Sequence, residues 1–343
     1  MRIAQAPGRV TLIGDHTDYN GGLSLPMAID LTTRATFTPE PGSFLIGLSS
    51  DQYPEPWEIP LGPVAHVPPQ ARLAAALVTR AAPPSGGRVE VTSSVPVGAG
   101  VSSSAAFSVA LLLALGQPLD ATNLAKVNQA AEGDVGSHVG LLDPLAIVDA
   151  QAGHALFIDF GTADLERHQV AIPPEAAFIV VHSEATRELN TSAYATRRAE
   201  CERAAHEVGR PLGQCELGDL SVLADPILRR RARHVITECA RVRLVEALLE
   251  RGNLVGVGAA MSEGHRSLAE DYRVSIAEVD DLVASLQGMP GVLGARMSGG
   301  GFGGCVIALC EEGSPALDPD AHAPRRAWRV SPAGGAVVSG SSV

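Results

Sequence analysis

One stretch constrains the fold of this chain more than any other, residues 95–106, which read Val-Pro-Val-Gly-Ala-Gly-Val-Ser-Ser-Ser-Ala-Ala. Residues 87–95 alternate polar and apolar side chains well enough to predict a strand. Residues 105–115 form an apolar run that is long enough for a buried helix. The stretch therefore joins a strand to the N-terminus of a helix.

The residue types in this junction favour an anion site. Gly98 and Gly100 allow the backbone to approach a ligand closely, and the unpaired N–H groups of a first helical turn attract phosphate. Ser102–Ser104 add hydroxyl groups that can donate hydrogen bonds or bind magnesium beside phosphates. A Gly-Ser loop that only caps the helix is the alternative.

Two familiar nucleotide motifs are absent from the sequence. A P-loop needs a lysine after its second glycine, and the only lysine of this chain is Lys126. No G-x-G-x-x-G lies between a strand and a helix with an acidic residue about 20 positions on, as a dinucleotide fold requires. Phosphate chemistry here must rest on backbone amides, hydroxyls, a metal ion and arginine.

A second polar cluster lies near the N-terminus, where Arg9, Asp15, His16 and Asp18 occur within ten residues. Carboxylates accept hydrogen bonds from vicinal hydroxyls, so the cluster predicts a polyol or sugar pocket. A solvated loop is the alternative. Asp143, between apolar residues and before Pro144, is either functional or simply the N-cap of a helix with proline at its first position.

Length and composition set the remaining bounds. With 343 residues the chain is long enough for two domains, which we place at 1–170 and 171–343. A net charge of −12 argues against nucleic-acid binding. No run of about 18 apolar residues occurs and the first residues contain no apolar stretch, so we expect neither a membrane span nor an export signal. Five cysteines without a C-x-x-C indicate neither a disulfide framework nor a zinc site, so we expect a cytoplasmic protein.

Local signals make further predictions. A turn at residues 6–8 should separate two short strands, and a capping box at residues 275–278 should begin a helix. Asp120 and Asp225 should cap two other helices within the chain. The arginines at 229–231 and 233 should form a solvated helix face, and the last ten residues should be mobile. Five glycines in residues 299–304 should bring backbone close to a ligand or to another loop.

Three separated stretches together resemble the GHMP small-molecule kinases, and most closely those that phosphorylate galactose. Residues 8–22 look like the N-terminal sugar signature, residues 95–106 like the phosphate loop, and residues 294–305 like the glycine-rich third motif. Residues 231–235 and 264–272 are also similar to that branch of the family. The resemblance implies an α+β fold of two domains, the first like domain 2 of ribosomal protein S5, with the active site in the cleft between them.

The resemblance also implies a role for each matching position. Asp143 would be the general base on the anomeric hydroxyl, and Arg9 would orient the reacting groups and stabilise the transferred phosphoryl. The sugar-binding positions would be Asp15, His16, Asp18, Gly140 and Tyr194. The nucleotide-phosphate loop would be Gly98, Ala99, Gly100, Val101, Ser102, Ser103 and Ser104, and the Mg²⁺ ligands would be Ser104 and Glu132.

The resemblance implies a sugar 1-kinase that uses ATP and Mg²⁺ and produces galactose 1-phosphate. We expect the protein to be a monomer. Asp15 stands where the family usually has glutamate, so a related kinase of N-acetylgalactosamine or arabinose is an alternative. A non-catalytic galactose sensor is a further alternative, although such relatives tend to have a damaged phosphate loop.

Overall fold

The computed structural model describes residues 1–62, 67–137, 139–185 and 191–339, with only the backbone described at 191 and 192. The first half of the chain builds a sheet and four helices. Its strands are β1 (Arg2–Ile13), β2 (Leu23–Pro39), β3 (Leu45–Ser50), β4 (Tyr53–Pro60), β5 (Gly87–Ser93), β6 (His154–Asp159) and β7 (Arg167–Ala171). Its helices are α1 (Arg72–Ala81), α2 (Ser103–Ala114), α3 (Ala121–Asp134) and α4 (Leu142–Asp149).

The second half contains a helical layer and a smaller sheet. Its helices are α5 (Thr191–Val208), α6 (Pro226–Glu250), α7 (Leu254–Ser267) and α8 (Ala277–Gln287). A π-helical turn, Leu268–Tyr272, directly follows α7. The strands are β8 (Ala176–His182), β9 (Val292–Ser298), β10 (Cys305–Glu311), β11 (Ala327–Val330) and β12 (Val337–Ser339).

Within the described ranges the strands form two sheets. The larger has eight strands in the order β12-β1-β2-β5-β3-β4, with β6 beside β2 and β7 beside β6. The smaller is antiparallel, in the order β11-β8-β10-β9. Helix α2 packs against β1 and β2, whereas α7 packs against β9 and α6. The mixture of helices and strands confirms the predicted α+β class.

The predicted strand, loop and buried helix around residue 100 are all present. Strand β5 leads to the loop, and α2 buries nine of its twelve residues, among them Leu111 and Leu112. A hydrophobic run of this length has no polar face to expose, so the helix lies in the hydrophobic core. Asp120 accepts a hydrogen bond from Asn123 N, and Asp225 accepts one from Ile227 N, which confirms both N-caps.

Four local predictions are wrong in whole or in part. Residues 6–8 do not end a strand, because β1 continues through them with a shift in its pairing to β2 between Pro7 and Gly8. The two unpaired residues at this shift, 30 and 31, lie on β2, so β1 passes through Pro7 without a turn. The predicted capping box is also absent, since Ile276 is the N-cap of α8 and the Ser275 hydroxyl donates to the Asp280 side chain instead.

The third error concerns the arginines of α6. Arg231 is 4% exposed and donates to Glu200 on α5 at 2.7 Å, so part of the predicted solvated face is a buried contact between helices. The predicted mobile end is likewise wrong for residues 337–339, which pair with β1 as β12, and residues 340–343 lie outside the described residues. The division at residue 170 stays a prediction, although this last strand returns to the first sheet. Among the described residues, no helix is both long and apolar enough to cross a membrane.

Candidate active site

A cavity of about 490 Å³ brings together residues from both halves of the chain. Its lining includes thirteen of the predicted site residues: Arg9, Asp15, His16, Asp18, Gly98, Gly100, Ser102, Ser103, Ser104, Glu132, Gly140, Asp143 and Tyr194. The side chains of Ala99 and Val101 lie in the core instead, and only their backbone belongs to the loop. Residues 299–302 of the glycine-rich motif close the opposite side. A cavity of this volume is in the range of small-molecule sites.

Arg9 and Asp143 form an ion pair inside this cavity. Arg9 Nε lies 2.6 Å from Asp143 Oδ1, and Arg9 Nη2 lies 2.5 Å from the same oxygen. The Arg9 side chain is 7% exposed, whereas that of Asp143 is 33% exposed. Since Arg9 lies on β1 and Asp143 lies on α4, tertiary packing alone joins them.

The structure excludes one of the two interpretations of Asp143, that of an N-cap. Helix α4 begins at Leu142 with Leu141 as its N-cap, so Asp143 is in the first turn and caps nothing. Its second oxygen, Oδ2, accepts a hydrogen bond of 2.6 Å from Ser102 Oγ. The carboxylate therefore lines the cavity and contacts the loop of residues 98–102.

The loop of residues 98–102 is held in an uncommon conformation. Gly98 and Gly100 have φ of 74° and 84°, and Ser102 has φ of 62°, which is rare for a residue with a side chain. Arg9 anchors the loop twice, because its N–H donates to Val101 O and its Nη1 donates to Gly100 O. Helix α2 then begins at Ser103, so the free N–H groups of its first turn face the cavity.

Close approach of β1 to this loop depends on Gly8. A Cβ atom at this position would lie 2.8 Å from Val101 O and 3.2 Å from Val95 Cγ1. Any larger residue would push the loop away from Arg9. Gly8 is thus required by the loop of residues 98–102 that packs against it.

The two predicted Mg²⁺ ligands are also neighbours. Ser104 Oγ donates to Glu132 Oε1 at 2.6 Å, which places a hydroxyl on α2 beside a carboxylate on α3. Within the described part of the chain, no group of three or more histidine, cysteine or acidic side chains could hold a metal ion. Mg²⁺ is ordinarily bound by one or two carboxylates together with substrate phosphates, so this pair of oxygens suits it.

Asp15 belongs to a buried charge network. Its Oδ2 accepts from Arg296 Nη2 at 2.9 Å, and its Oδ1 accepts from Gly299 N at 3.1 Å. The same Arg296 nitrogen donates to Glu238 Oε1 at 2.8 Å. Burial raises the pKa of Asp15 to about 6, although Arg296 opposes the rise. Burial would also raise the pKa of Glu238, but the charges of Arg296 and Arg241 outweigh it and lower that pKa.

Asp18 approaches the loop before α4. A Cβ atom on Gly140 would lie only 1.6 Å from Asp18 Oδ2, so this contact requires glycine. Burial in the cavity raises the pKa of Asp18 to about 6, and the nearby Asp143 carboxylate adds to the rise. With a pKa of about 6, both Asp15 and Asp18 are mainly, but not completely, ionised at neutral pH.

Aromatic side chains enclose the same end of the cavity. The His16 ring lies 5.7 Å from the Tyr194 ring, centroid to centroid, and His16 Nδ1 lies 2.9 Å from Tyr19 Oη. A hydroxylated, acidic and aromatic wall of this kind can bind the hydroxyl groups and the apolar face of a sugar. Asp143 lies close both to Asp18 at this end of the cavity and to Ser102 of the loop.

Sequence reasoning missed two residues that hold this end in place. Arg296 is fully buried and reaches Asp15 across 281 positions, and Tyr19 contacts His16. The available signal for Arg296 was a charged residue inside an otherwise apolar strand, which needs a partner when it is buried. No sequence signal identified that partner as Asp15 and Glu238.

Comparison with known proteins agrees with this geometry. The model of the galactokinase galactose-binding signature matches residues 2–39, the GHMP kinase N-terminal domain matches residues 70–150, and the C-terminal domain matches residues 244–321. The chain is 41% identical to the galactokinase of Mycobacterium bovis (strain BCG / Pasteur 1173P2), over 89% of this chain and 87% of that one. It is 38% identical to the galactokinase of Homo sapiens, over 89% of this chain and 83% of that one.

Solved structures give the same assignment. The structure of Lactococcus lactis galactokinase complexed with galactose covers 98% of this chain and 94% of its own, with a TM-score of 0.87 and 26% identity. A mevalonate kinase structure, with a TM-score of 0.66 and 19% identity over 96% and 98% of the two chains, shares the fold. Signature, domain models and relatives thus confirm the resemblance, and this chain belongs to the galactokinase family of the GHMP kinases.

Proposed function

We propose that this chain transfers the γ-phosphoryl group of ATP to the anomeric hydroxyl of galactose, giving ADP and galactose 1-phosphate. The observation that carries the proposal is the contact of Asp143 with both Arg9 and Ser102, at the point where the sugar end meets the phosphate loop. Phosphoryl transfer depends mainly on positioning and on neutralising charge, and this cluster supplies both.

Asp143 acts as the general base. As the anomeric oxygen attacks the γ-phosphorus, its proton passes to the Asp143 carboxylate, while the bond from that phosphorus to the bridging oxygen of ADP breaks. An aspartate is ordinarily a weak base, so proton transfer accompanies the attack rather than preceding it. The Ser102 hydroxyl, which donates to Asp143 Oδ2, fixes the orientation of the carboxylate.

Arg9 has a different part in the reaction. Its guanidinium already spans the gap between the base and the phosphate loop, with Nη1 on Gly100 O and Nε on Asp143 Oδ1. The cation therefore stands where negative charge develops on the transferred group, and its planar fork sets the angle between donor and acceptor. The phosphate loop and the start of α2 bind the nucleotide phosphates through backbone N–H groups.

Ser104 and Glu132 would hold Mg²⁺ together with those phosphates. Their oxygens converge at 2.6 Å across α2 and α3, and they form a donor set of the kind that Mg²⁺ accepts. The ion would neutralise charge on the β- and γ-phosphates.

At the sugar end, Asp15, Asp18 and His16 would bind hydroxyl groups, with Tyr194 and the backbone of Gly140 completing the wall. Asp15 is held by Arg296 and Gly299, so its shorter side chain is drawn toward the glycine-rich motif. We propose galactose as the substrate because the signature of residues 2–39 and the named relatives point to it. Neither N-acetylgalactosamine nor arabinose is favoured by these comparisons.

A panel of sugars tests the assignment. Purified protein is incubated with ATP, Mg²⁺ and galactose, N-acetylgalactosamine, arabinose, glucose or mannose, and sugar phosphate is measured. We expect the highest kcat/KM with galactose, and turnover should disappear in Asp143→Ala. No phosphorylation of galactose above that of glucose would reject the galactose assignment, and turnover that survives in Asp143→Ala would reject the base.

We also propose that the protein works as a monomer in a reducing compartment such as the cytoplasm. The described residues of one chain supply every group used above, and the five cysteines are all buried and include no C-x-x-C. Light scattering coupled to gel filtration should give a mass near 35.5 kDa.

A further inference from the structure

Tyr272 lies in an unusual place. It ends the π-helical turn Leu268–Tyr272, and its side chain is completely buried. Turns of this kind are rare and occur frequently at functional sites. Tyr272 is not among the described residues that line the cavity, so any effect it has on a bound sugar must pass through other residues.

The hydroxyl of Tyr272 is part of a chain that leads to the cavity. Tyr272 Oη lies 2.7 Å from Tyr19 Oη and 3.1 Å from Cys201 Sγ. Tyr19 Oη in turn lies 2.9 Å from His16 Nδ1. The chain thus runs from α5 through Tyr272 and Tyr19 to an imidazole in the cavity wall.

Contacts between tilted rings join the same residues. The Tyr272 ring lies between the rings of His16 and His234, with centroid distances of 4.7 Å and 4.5 Å. His16 itself has φ of 64°, a conformation that a residue with a side chain rarely adopts. The surrounding packing must therefore hold it in place.

Hydrogen bonding to one imidazole nitrogen fixes the tautomer and the direction of the other nitrogen. Burial raises the pKa of both Tyr19 and Tyr272 well above the ordinary value, so both hydroxyls stay protonated. A neutral hydroxyl can both donate and accept a hydrogen bond, so the Tyr272 hydroxyl can orient that of Tyr19, which in turn orients the His16 ring.

We propose that Tyr272 is a positioning residue, which acts through Tyr19 to orient the His16 imidazole toward the sugar. The proposal rests on the proposed function, since it assumes that His16 lies in the sugar subsite. Tyr272 contacts neither the Arg9–Asp143 pair nor the phosphate loop in any described hydrogen bond, so its effect falls on sugar affinity rather than on phosphoryl transfer.

Tyr272→Phe is the central test, because it keeps the ring and its contacts but removes the hydroxyl. We expect the KM and the Kd for galactose to rise about 5- to 20-fold, as for loss of one buried hydrogen bond. The KM for ATP should stay unchanged, and kcat should change less than the galactose KM. Tyr53→Phe is the matched control, since Tyr53 is 38% exposed and packs on Trp57.

A double-mutant cycle distinguishes a connected hydrogen-bond chain from two independent effects on the galactose KM. Tyr19→Phe should raise the galactose KM by itself, and Tyr19→Phe/Tyr272→Phe should raise it little further. Strict additivity would overturn the proposal, and so would a folded Tyr272→Phe with the wild-type galactose KM.

Nitrogen-15 NMR of the histidines gives a readout that needs no turnover. Tyr272→Phe should shift the Nδ1 resonance of His16, assigned by comparison with His16→Gln, and Tyr53→Phe should not. An unchanged His16 resonance would overturn the proposal. If the wild-type enzyme failed to phosphorylate galactose while the resonance still moved, the substrate assignment would fail and the positioning role would stand.

Discussion

Asp143→Asn gives the sharpest test of the mechanism. In the structure the carboxylate accepts from Arg9 Nε, Arg9 Nη2 and Ser102 Oγ. Asparagine can keep its oxygen toward Arg9, which only donates, and can turn its amide toward Ser102, whose hydroxyl can rotate to accept. The shape and most hydrogen bonds therefore survive, while the proton acceptor and the negative charge are lost.

The expected loss in kcat is about 10²- to 10⁴-fold, or about 2.7–5.4 kcal/mol in the barrier. Affinity for galactose should change little, because Asp15, Asp18 and His16 are untouched. Stability should fall by about 1–3 kcal/mol, since the Arg9 charge is buried and loses its counter-ion. A coupled assay of ADP release gives kcat, calorimetry gives the sugar Kd, and a thermal melt gives the stability.

Asp120→Asn is the matched control. Asp120 caps α3 and accepts a hydrogen bond from Asn123 N, so asparagine should replace it at a cost of a few tenths of a kcal/mol. If Asp143→Asn behaved like this control and kept full activity, Asp143 would not be the base. Catalysis would then rest on positioning by Arg9, Mg²⁺ and the phosphate loop.

Three further predictions concern the sugar and metal ends. Burial raises the pKa of Asp15 and Asp18 to about 6, so both carboxylates lose their charge as the pH falls through this value. The kcat/KM for galactose should therefore drop below pH 6. A flat pH profile of kcat/KM between pH 8 and 5 would contradict the role of the two carboxylates as hydrogen-bond acceptors. Gly140→Ala places a Cβ atom 1.6 Å from Asp18 Oδ2 and should raise the galactose KM at least about tenfold. Gly133→Ala, whose added Cβ meets nothing within 4 Å, should leave the KM unchanged, and equal values for the two variants would refute the steric argument. Glu132→Gln removes the charge beside Ser104 and should raise the Mg²⁺ concentration for half-maximal activity about tenfold, measured by Mg²⁺ titration at fixed ATP; an unchanged requirement would move the metal site elsewhere.

The resemblance to a kinase family supplied the roles of the site residues, and the structure shows which of them meet. Thirteen of the predicted residues line one cavity, because the signature, the phosphate loop and the residues near 140 are brought together by β1, α2 and α4. Ala99 and Val101 are the exceptions, since alternate side chains of a tight loop point into the core. Their side chains pack in the core, and their place in the phosphate loop stays a prediction.

The sequence by itself determined the features that depend on neighbours along the chain. A long apolar run can only be a buried helix, glycines permit the left-handed turns of the phosphate loop, and Asp120 and Asp225 cap helices a few residues away. Each of these follows from local sterics or local hydrogen bonds, so each could be read before any fold was known.

Only the tertiary structure decided which residues that are distant in the sequence contact one another. Arg9 meets Asp143 across 134 positions, Arg296 meets Asp15 across 281, and Tyr272 meets Tyr19 across 253. The same cause explains the errors, because packing of α5 on α6 buried Arg231, and pairing with β1 ordered residues 337–339. A buried charge or an open strand edge needs a partner, and the relative placement of whole helices and sheets determines which one it finds.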